Sequence, residues 1–167
     1  MPHIIIDGYN YLYRVRATSM HNGSNLDMLR RSLLEKLVYY KRQKHAKITV
    51  VFDAYRGFST SRQSENYKGI DVVYSKEHET ADDVIIGWIR EKRAGIVVVS
   101  SDRAIIDEAK QHGVTFITPL KMEELIAGPV GGKDEEDDEE AQHVKKKGNP
   151  KRLPKKLRKV IKNIDKI

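Results

Sequence analysis

At 167 residues the chain has room for one domain with a full hydrophobic core and little more. It has no cysteine, which excludes disulfides and thiolate metal sites. Its formal charge is +7, with 19 Lys and Arg against 16 Asp and Glu up to Ala127 and 12 against 8 beyond it; a positive excess points to polyanionic partners, nucleic acid ahead of an anionic membrane surface.

The chain opens on His3, Ile4, Ile5, Ile6 and Asp7. This β-branched apolar run reads as a strand buried on both faces; it ends at an acid, with Gly8 free to turn the chain. It is too short for the core of a signal peptide and has no basic lead-in, and no apolar stretch approaches membrane-spanning length. A soluble, cytoplasmic protein with no membrane partner is therefore expected. Residues 11–23 carry no assignable pattern. Ser24 or Asn25 suits the N-cap of a long helix on which Leu26, Leu29, Leu33, Leu37 and Tyr40 repeat at helical spacing, ending near Gln43. Residues 48–52 repeat the first apolar pattern and run into Asp53. Strand, helix and strand make a βαβ unit, which predicts parallel pairing and a right-handed crossover.

Asp53 opens a polar loop over 54–69 that interleaves Tyr55, Phe58 and Tyr67 with Arg56, Arg62 and Lys68. Rings to stack on bases and cations to hold phosphates suit a single-stranded nucleic acid. A short strand follows at 70–74. Glu77, Glu79, Asp82 and Asp83 then crowd the start of a helix over 80–93, whose apolar positions are Val84, Ile85, Trp88 and Ile89. Thr80 and Asp83 have capping-box spacing, with Asp in place of the usual Glu or Gln.

A third apolar run, 96–101, ends at Asp102 and leads into a helix over 103–112 that Gly113 stops. After a last strand at 114–117, Thr118 as N-cap and Pro119 at the first helical position begin a helix through Ile126. The run Gly128-Pro129-Val130-Gly131-Gly132 marks a boundary between a domain at 1–127 and a flexible charged tail at 128–167. In that tail 134–140 is acidic and 145–166 strongly basic. Like-charge runs of this kind serve as interaction arms, and Leu153, Leu157, Val160, Ile161 and Ile164 could line one basic amphipathic helix given a partner to pack on.

Three buried strands that each end in an aspartate point Asp7, Asp53 and Asp102 at one crevice outside the carboxyl ends of an open α/β sheet. One or both of Asp82 and Asp83 join them. Successive helical residues point about 100° apart, so only one faces the crevice squarely, and Asp82 is the choice. Such a cluster repels itself unless a cation intervenes, and Mg²⁺, which keeps several waters and takes few carboxylates, suits a site where phosphodiester oxygens complete the shell. Metal-assisted hydrolysis follows. Against this stand ordinary roles: acids in a helix's first turn are favoured by its dipole, Asp102 could cap a helix, and Asn10 could be a turn residue. Neither a G-x-G-x-x-G nor a G-x-x-x-x-G-K-[ST] motif is present. A phosphoacceptor receiver would pair acids just after the first strand, where this chain has Gly8, Tyr9 and Asn10.

Ile6-Asp7-Gly8-Tyr9-Asn10, Val51-Phe52-Asp53-Ala54, Glu79-Thr80-Ala81-Asp82 and Ser100-Ser101-Asp102, in that order, resemble the NYN branch of the PIN-like nucleases. Within it the nearest likeness is to the YacP-type bacterial ribosome-associated endoribonucleases. The resemblance implies a PIN-like three-layer α/β/α sandwich with a mostly parallel sheet, and a Mg²⁺- or Mn²⁺-dependent endoribonuclease acting on single-stranded RNA, with mRNA on the ribosome as a candidate substrate. It makes Asp7, Asp53, Asp82 and Asp102 the metal-binding acids and Asn10 a polar site residue. Glu79, Thr80, Asp83 and Ser101 flank them as supporting residues. Tyr55, Arg56, Arg62, Tyr67 and Lys68 fall in the region expected to meet RNA. The tail departs from the pattern: its basic segment is expected to bind structured RNA while its acidic run competes for the basic loop. Two rival functions are a non-catalytic RNA-binding or ribosome-associated module on the same fold, and a phosphate-ester hydrolase for small molecules.

Overall fold

The computed structural model describes residues 1–15, 26–54, 59–91 and 95–128. The charged tail, Tyr55, Arg56, Phe58 and the expected caps Ser24 and Asn25 lie outside the described residues. Among the described residues the elements run β1 (His3–Asp7), α1 (Gly8–Val15), α2 (Leu26–Gln43), β2 (Lys47–Phe52), β3 (Gln63–Tyr67), β4 (Ile70–Tyr74), α3 (Ala81–Arg90), β5 (Ile96–Val99), α4 (Arg103–Gln111), β6 (Thr115–Ile117) and α5 (Pro119–Ala127).

The strands form one sheet in the order β3-β4-β2-β1-β5-β6, with all pairings parallel except that of β3 with β4. Side chains alternate across it. Ile4, Ile6, Ile48, Val50, Val97 and Val99 face a core closed by Leu12 of α1, Leu33 and Leu37 of α2 and Met122 of α5. Ile5, Val51 and Val98 face the opposite core, closed by Val84, Ile85 and Ile89 of α3 and Ile105 of α4. This is the three-layer α/β/α arrangement, and β1 lies at its centre, fully covered on both sides because each face is apolar. No helix among the described residues is long and apolar enough to cross a membrane.

The helix starts follow their caps. Thr80 accepts from the Asp83 amide and Asp83 reaches back to the Thr80 amide, completing the capping box with the shorter acid. Thr118 accepts from the Lys121 amide, with Pro119 at the first turn.

Two stretches differ from expectation. Residues 8–15, where no element is expected, form α1, because Asp7 ends β1 and at once takes the N-cap position, accepting the Asn10 amide at 3.4 Å. Gly8 is needed there: a Cβ on it would stand 2.3 Å from the fully buried Phe52 ring. Within the expected loop over 54–69, Gln63–Tyr67 pairs antiparallel with β4 through the two-residue turn Lys68-Gly69, both at positive φ (49° and 89°).

Candidate active site

The four sequence-selected aspartates all lie at the carboxyl edge of the parallel strands. Asp7 ends β1, Asp53 follows β2, Asp102 follows β5, and Asp82 is in the first turn of α3, which follows β4. Their environments differ.

Asp7 is 4% exposed. One carboxylate oxygen accepts from the Ser100 hydroxyl at 3.1 Å, the other from the Asn10 amide. Burial, and next the charge of Asp82, push its pKa up to about 7 in spite of those donors. Asp82 is half-buried, and its pKa is also raised, by burial and then by the charges of Asp102 and Asp53. Asp82 lies close enough to Asp7 for its charge to be felt there.

Asp53 and Asp102 carry structural duties besides. Asp53 is exposed and accepts the Ala81 amide at 2.8 Å, so it ties the end of β2 to the start of α3. Asp102 is the N-cap of α4, accepting from the Ala104 amide at 2.8 Å and the Ile105 amide at 3.4 Å. The starts of α1, α3 and α4 therefore meet at this edge, each with a carboxylate on its amides, where the helix dipole favours negative charge. Asp83 is turned away onto Thr80, which lowers its pKa.

Ser100 bridges two of the acids: its hydroxyl oxygen accepts the Asp102 amide at 3.0 Å while its proton goes to Asp7. Asn10 holds the neighbouring turn, its side-chain oxygen accepting both the amide and the hydroxyl of Ser101 at 2.9 Å each. Arg14, one helical turn further along α1, donates through Nε to the Ser101 hydroxyl at 2.8 Å. Ser100 stands in a motif the sequence made conspicuous, but its double bond, and the presence of Arg14, depend on how α1 docks against the β5–α4 turn. Sequence spacing alone does not reveal that.

The residues expected to meet RNA are dispersed. Arg62 forms a two-pronged pair with Glu79, at 2.9 and 2.6 Å. Glu79 also accepts the Lys76 amide, and Arg62 before all else lowers its pKa. Glu79 thus holds Arg62 to the start of α3 and bonds to none of the four acids. Tyr67 and Lys68 both donate to Glu35, Lys68 at 2.6 Å. Because β4 runs parallel to β2, the β3–β4 turn that carries them lies at the amino edge of the sheet, opposite the acids. Tyr55 and Arg56 lie outside the described residues.

Among the described residues no three His, Asp or Glu side chains are grouped closely enough to hold a metal ion between them. The donors facing the edge are carboxylate oxygens, with Asp7 within electrostatic reach of Asp82 and Asp53, and Asp82 within reach of Asp53 and Asp102. Such a set fits a hard divalent cation that uses one or two carboxylates and retains water, as Mg²⁺ does, and not one that needs an all-protein cage.

Residues 4–166 match the family model of the YacP-like NYN domain, so the match extends beyond Gly128 into the charged tail. Two crystal structures of Rae1 (YacP) from Bacillus subtilis, one of a point mutant, share the fold, each with a TM-score of 0.61 at 21% identity. The alignments cover 76% of this chain, and 76% of the mutant and 74% of the other chain. No curated protein matches the sequence.

Proposed function

This chain belongs to the YacP-like NYN family, whose domain is of nuclease type and RNA-related, and from that premise we propose that it is a divalent-metal-dependent endoribonuclease acting on single-stranded RNA. Messenger RNA on the ribosome is the substrate its family resemblance suggests. The observation that supports the chemistry most is the placing of the buried Asp7 within electrostatic reach of Asp82 and Asp53 at one edge of the sheet. Two carboxyl groups, one nearly inaccessible, lie within electrostatic reach of each other with no cation among the described residues paired to either, and further negative charge lies nearby. Carboxyl groups pushed above their ordinary range by burial and by one another's charge are a mark of functional sites.

In this reading Asp7 and Asp82 are the principal metal ligands and Asp53 and Asp102 take part through their outward oxygens or through water. Bound there, Mg²⁺ or Mn²⁺ would acidify water and offset the charge that develops on a phosphodiester. Ser100 holds the Asp7 carboxylate in place and couples it to the start of α4. Asn10 fixes the β5–α4 turn against α1, so the two elements that bear Asp7 and Asp102 keep their spacing.

The test is cleavage of an unstructured oligoribonucleotide. It should require Mg²⁺ or Mn²⁺ and fall at least about a hundredfold in Asp7→Asn and in Asp82→Asn, with circular dichroism unchanged. Cleavage that survives both substitutions overturns the site. RNA binding with no cleavage under either ion favours the non-catalytic module, a reading that draws on the lack of any three-carboxylate group among the described residues.

A further inference from the structure

We propose that Arg14 is the cation that grips a phosphate of the RNA strand beside the acids, an inference that rests on the RNA-cleaving function proposed above and names the side chain that lets a polyanion approach so acidic an edge. Arg14 and Asn10 are four residues apart on α1 and so share a face, and Asn10 is in turn three residues from Asp7. That face is docked on the β5–α4 turn. Arg14 Nε donates to the Ser101 hydroxyl at 2.8 Å, and the same hydroxyl donates to Asn10 at 2.9 Å. Ser101 follows Ser100, which holds Asp7, and precedes Asp102.

The bond through Nε has two consequences. It fixes the guanidinium plane by one edge, and it does so on a neutral hydroxyl, which leaves the positive charge uncompensated. Among the described residues no carboxylate lies within ion-pair distance of Arg14, its terminal nitrogens make no hydrogen bond, and the side chain is exposed. A guanidinium held in this way presents two parallel N–H donors, the geometry that matches two oxygens of a phosphodiester. The cations expected to serve RNA are placed differently: Arg62 already has both prongs on Glu79, and Lys68 is on Glu35 at the opposite edge of the sheet. A phosphate would have to displace a carboxylate from either of them. At Arg14 it would displace only water.

The experiment measures binding of a short fluorescent oligouridylate by anisotropy, over a range of salt and in excess chelator, with the full chain as wild type, Arg14→Gln, Arg14→Lys and Arg90→Gln. Arg90 pairs with Glu108 and serves as a control for loss of one positive charge far from the acids. Arg14→Gln should weaken binding about tenfold and reduce the slope of log K against log salt by about 0.7, the share of one phosphate contact on a single strand. Arg14→Lys should restore the slope but only part of the affinity, because an ammonium supplies charge without the fork. Arg90→Gln should bind as the wild type does. An unchanged affinity and slope in Arg14→Gln, or an equal loss in Arg90→Gln, overturns the proposal. Cleavage assays with Mg²⁺ keep the two claims apart. Wild type that binds through Arg14 but never cleaves refutes the nuclease function alone, whereas cleavage by wild type and Arg14→Gln with the same KM refutes Arg14 alone.

Discussion

Asp82 and Asp83 are neighbours in the first turn of one helix, yet the carboxyl group of the first is pushed above its ordinary range and that of the second is held below it. Asp83 receives the Thr80 amide and hydroxyl; Asp82 faces Asp7 and feels Asp53 and Asp102. The same contrast separates Asp7 from Glu79, where one acid is buried among like charges and the other is held by an arginine. In this molecule most carboxylates have a cation or a helix start to answer them. Among the described residues Asp7 and Asp82 have no cation paired to them, and the helix starts beside them do not offset their burial and mutual repulsion; uncompensated charge that folding tolerates is where a ligand is expected.

That contrast can be broken by titration. In chelator, Asp7 has a native pKa of about 7 against 3.8 unfolded, so the unfolded chain gives up this proton first. The stabilising effect of the protonated form is complete below about pH 4 and is lost as pH rises through 7, an effect of up to about 4 kcal/mol. Thermal denaturation of the metal-free wild type should show stability falling from pH 5 to pH 8, and Asp7→Asn should flatten that fall. A wild type equally stable at both values would mean that Asp7 is not isolated among like charges.

A smaller effect comes from the scaffold beneath the acids. Gly8→Ala forces a Cβ against the fully buried Phe52 ring, next to the residue that ends β1. Overpacking of this kind costs about 1–3 kcal/mol, readable in urea unfolding. Because α1 begins at the same place, RNA cleavage should decline with it.

On the satisfied side of the comparison, Glu79→Gln removes the partner of Arg62. A partly exposed pair is worth about 1 kcal/mol or less, so the melting temperature should move little, and cleavage should stay within a few-fold of wild type. A large loss of cleavage would assign Glu79 to the site after all.

What was legible in the sequence follows the same division. Strands β1, β2 and β5 could be read because burial on both faces leaves unbroken β-branched runs, and the aspartates were visible as the residues that end them. Helices α3 and α5 announced themselves through Thr80 with Asp83 and Thr118 with Pro119. β3 was hidden because its residues Gln63, Ser64, Glu65 and Asn66 are exposed and polar, and its turn uses Lys68-Gly69 where Asn-Gly is the familiar signal. α1 was hidden because a single residue, Asp7, both ends a strand and caps a helix, leaving no loop to punctuate them. Missing β3 had a cost at the site, since the hairpin carries Tyr67 and Lys68 to the far edge of the sheet. That Asp53 would find a backbone partner at Ala81 could not be seen either, for it depends on where β2 and α3 meet in space.

The most direct test of the account is Mn²⁺ binding by the chelator-stripped protein at pH 8, measured by calorimetry on the wild type, Asp7→Asn and Glu79→Gln. Saturable binding by wild type and Glu79→Gln that disappears in Asp7→Asn is the result predicted. Equal binding by all three, or none by the wild type, would contradict it.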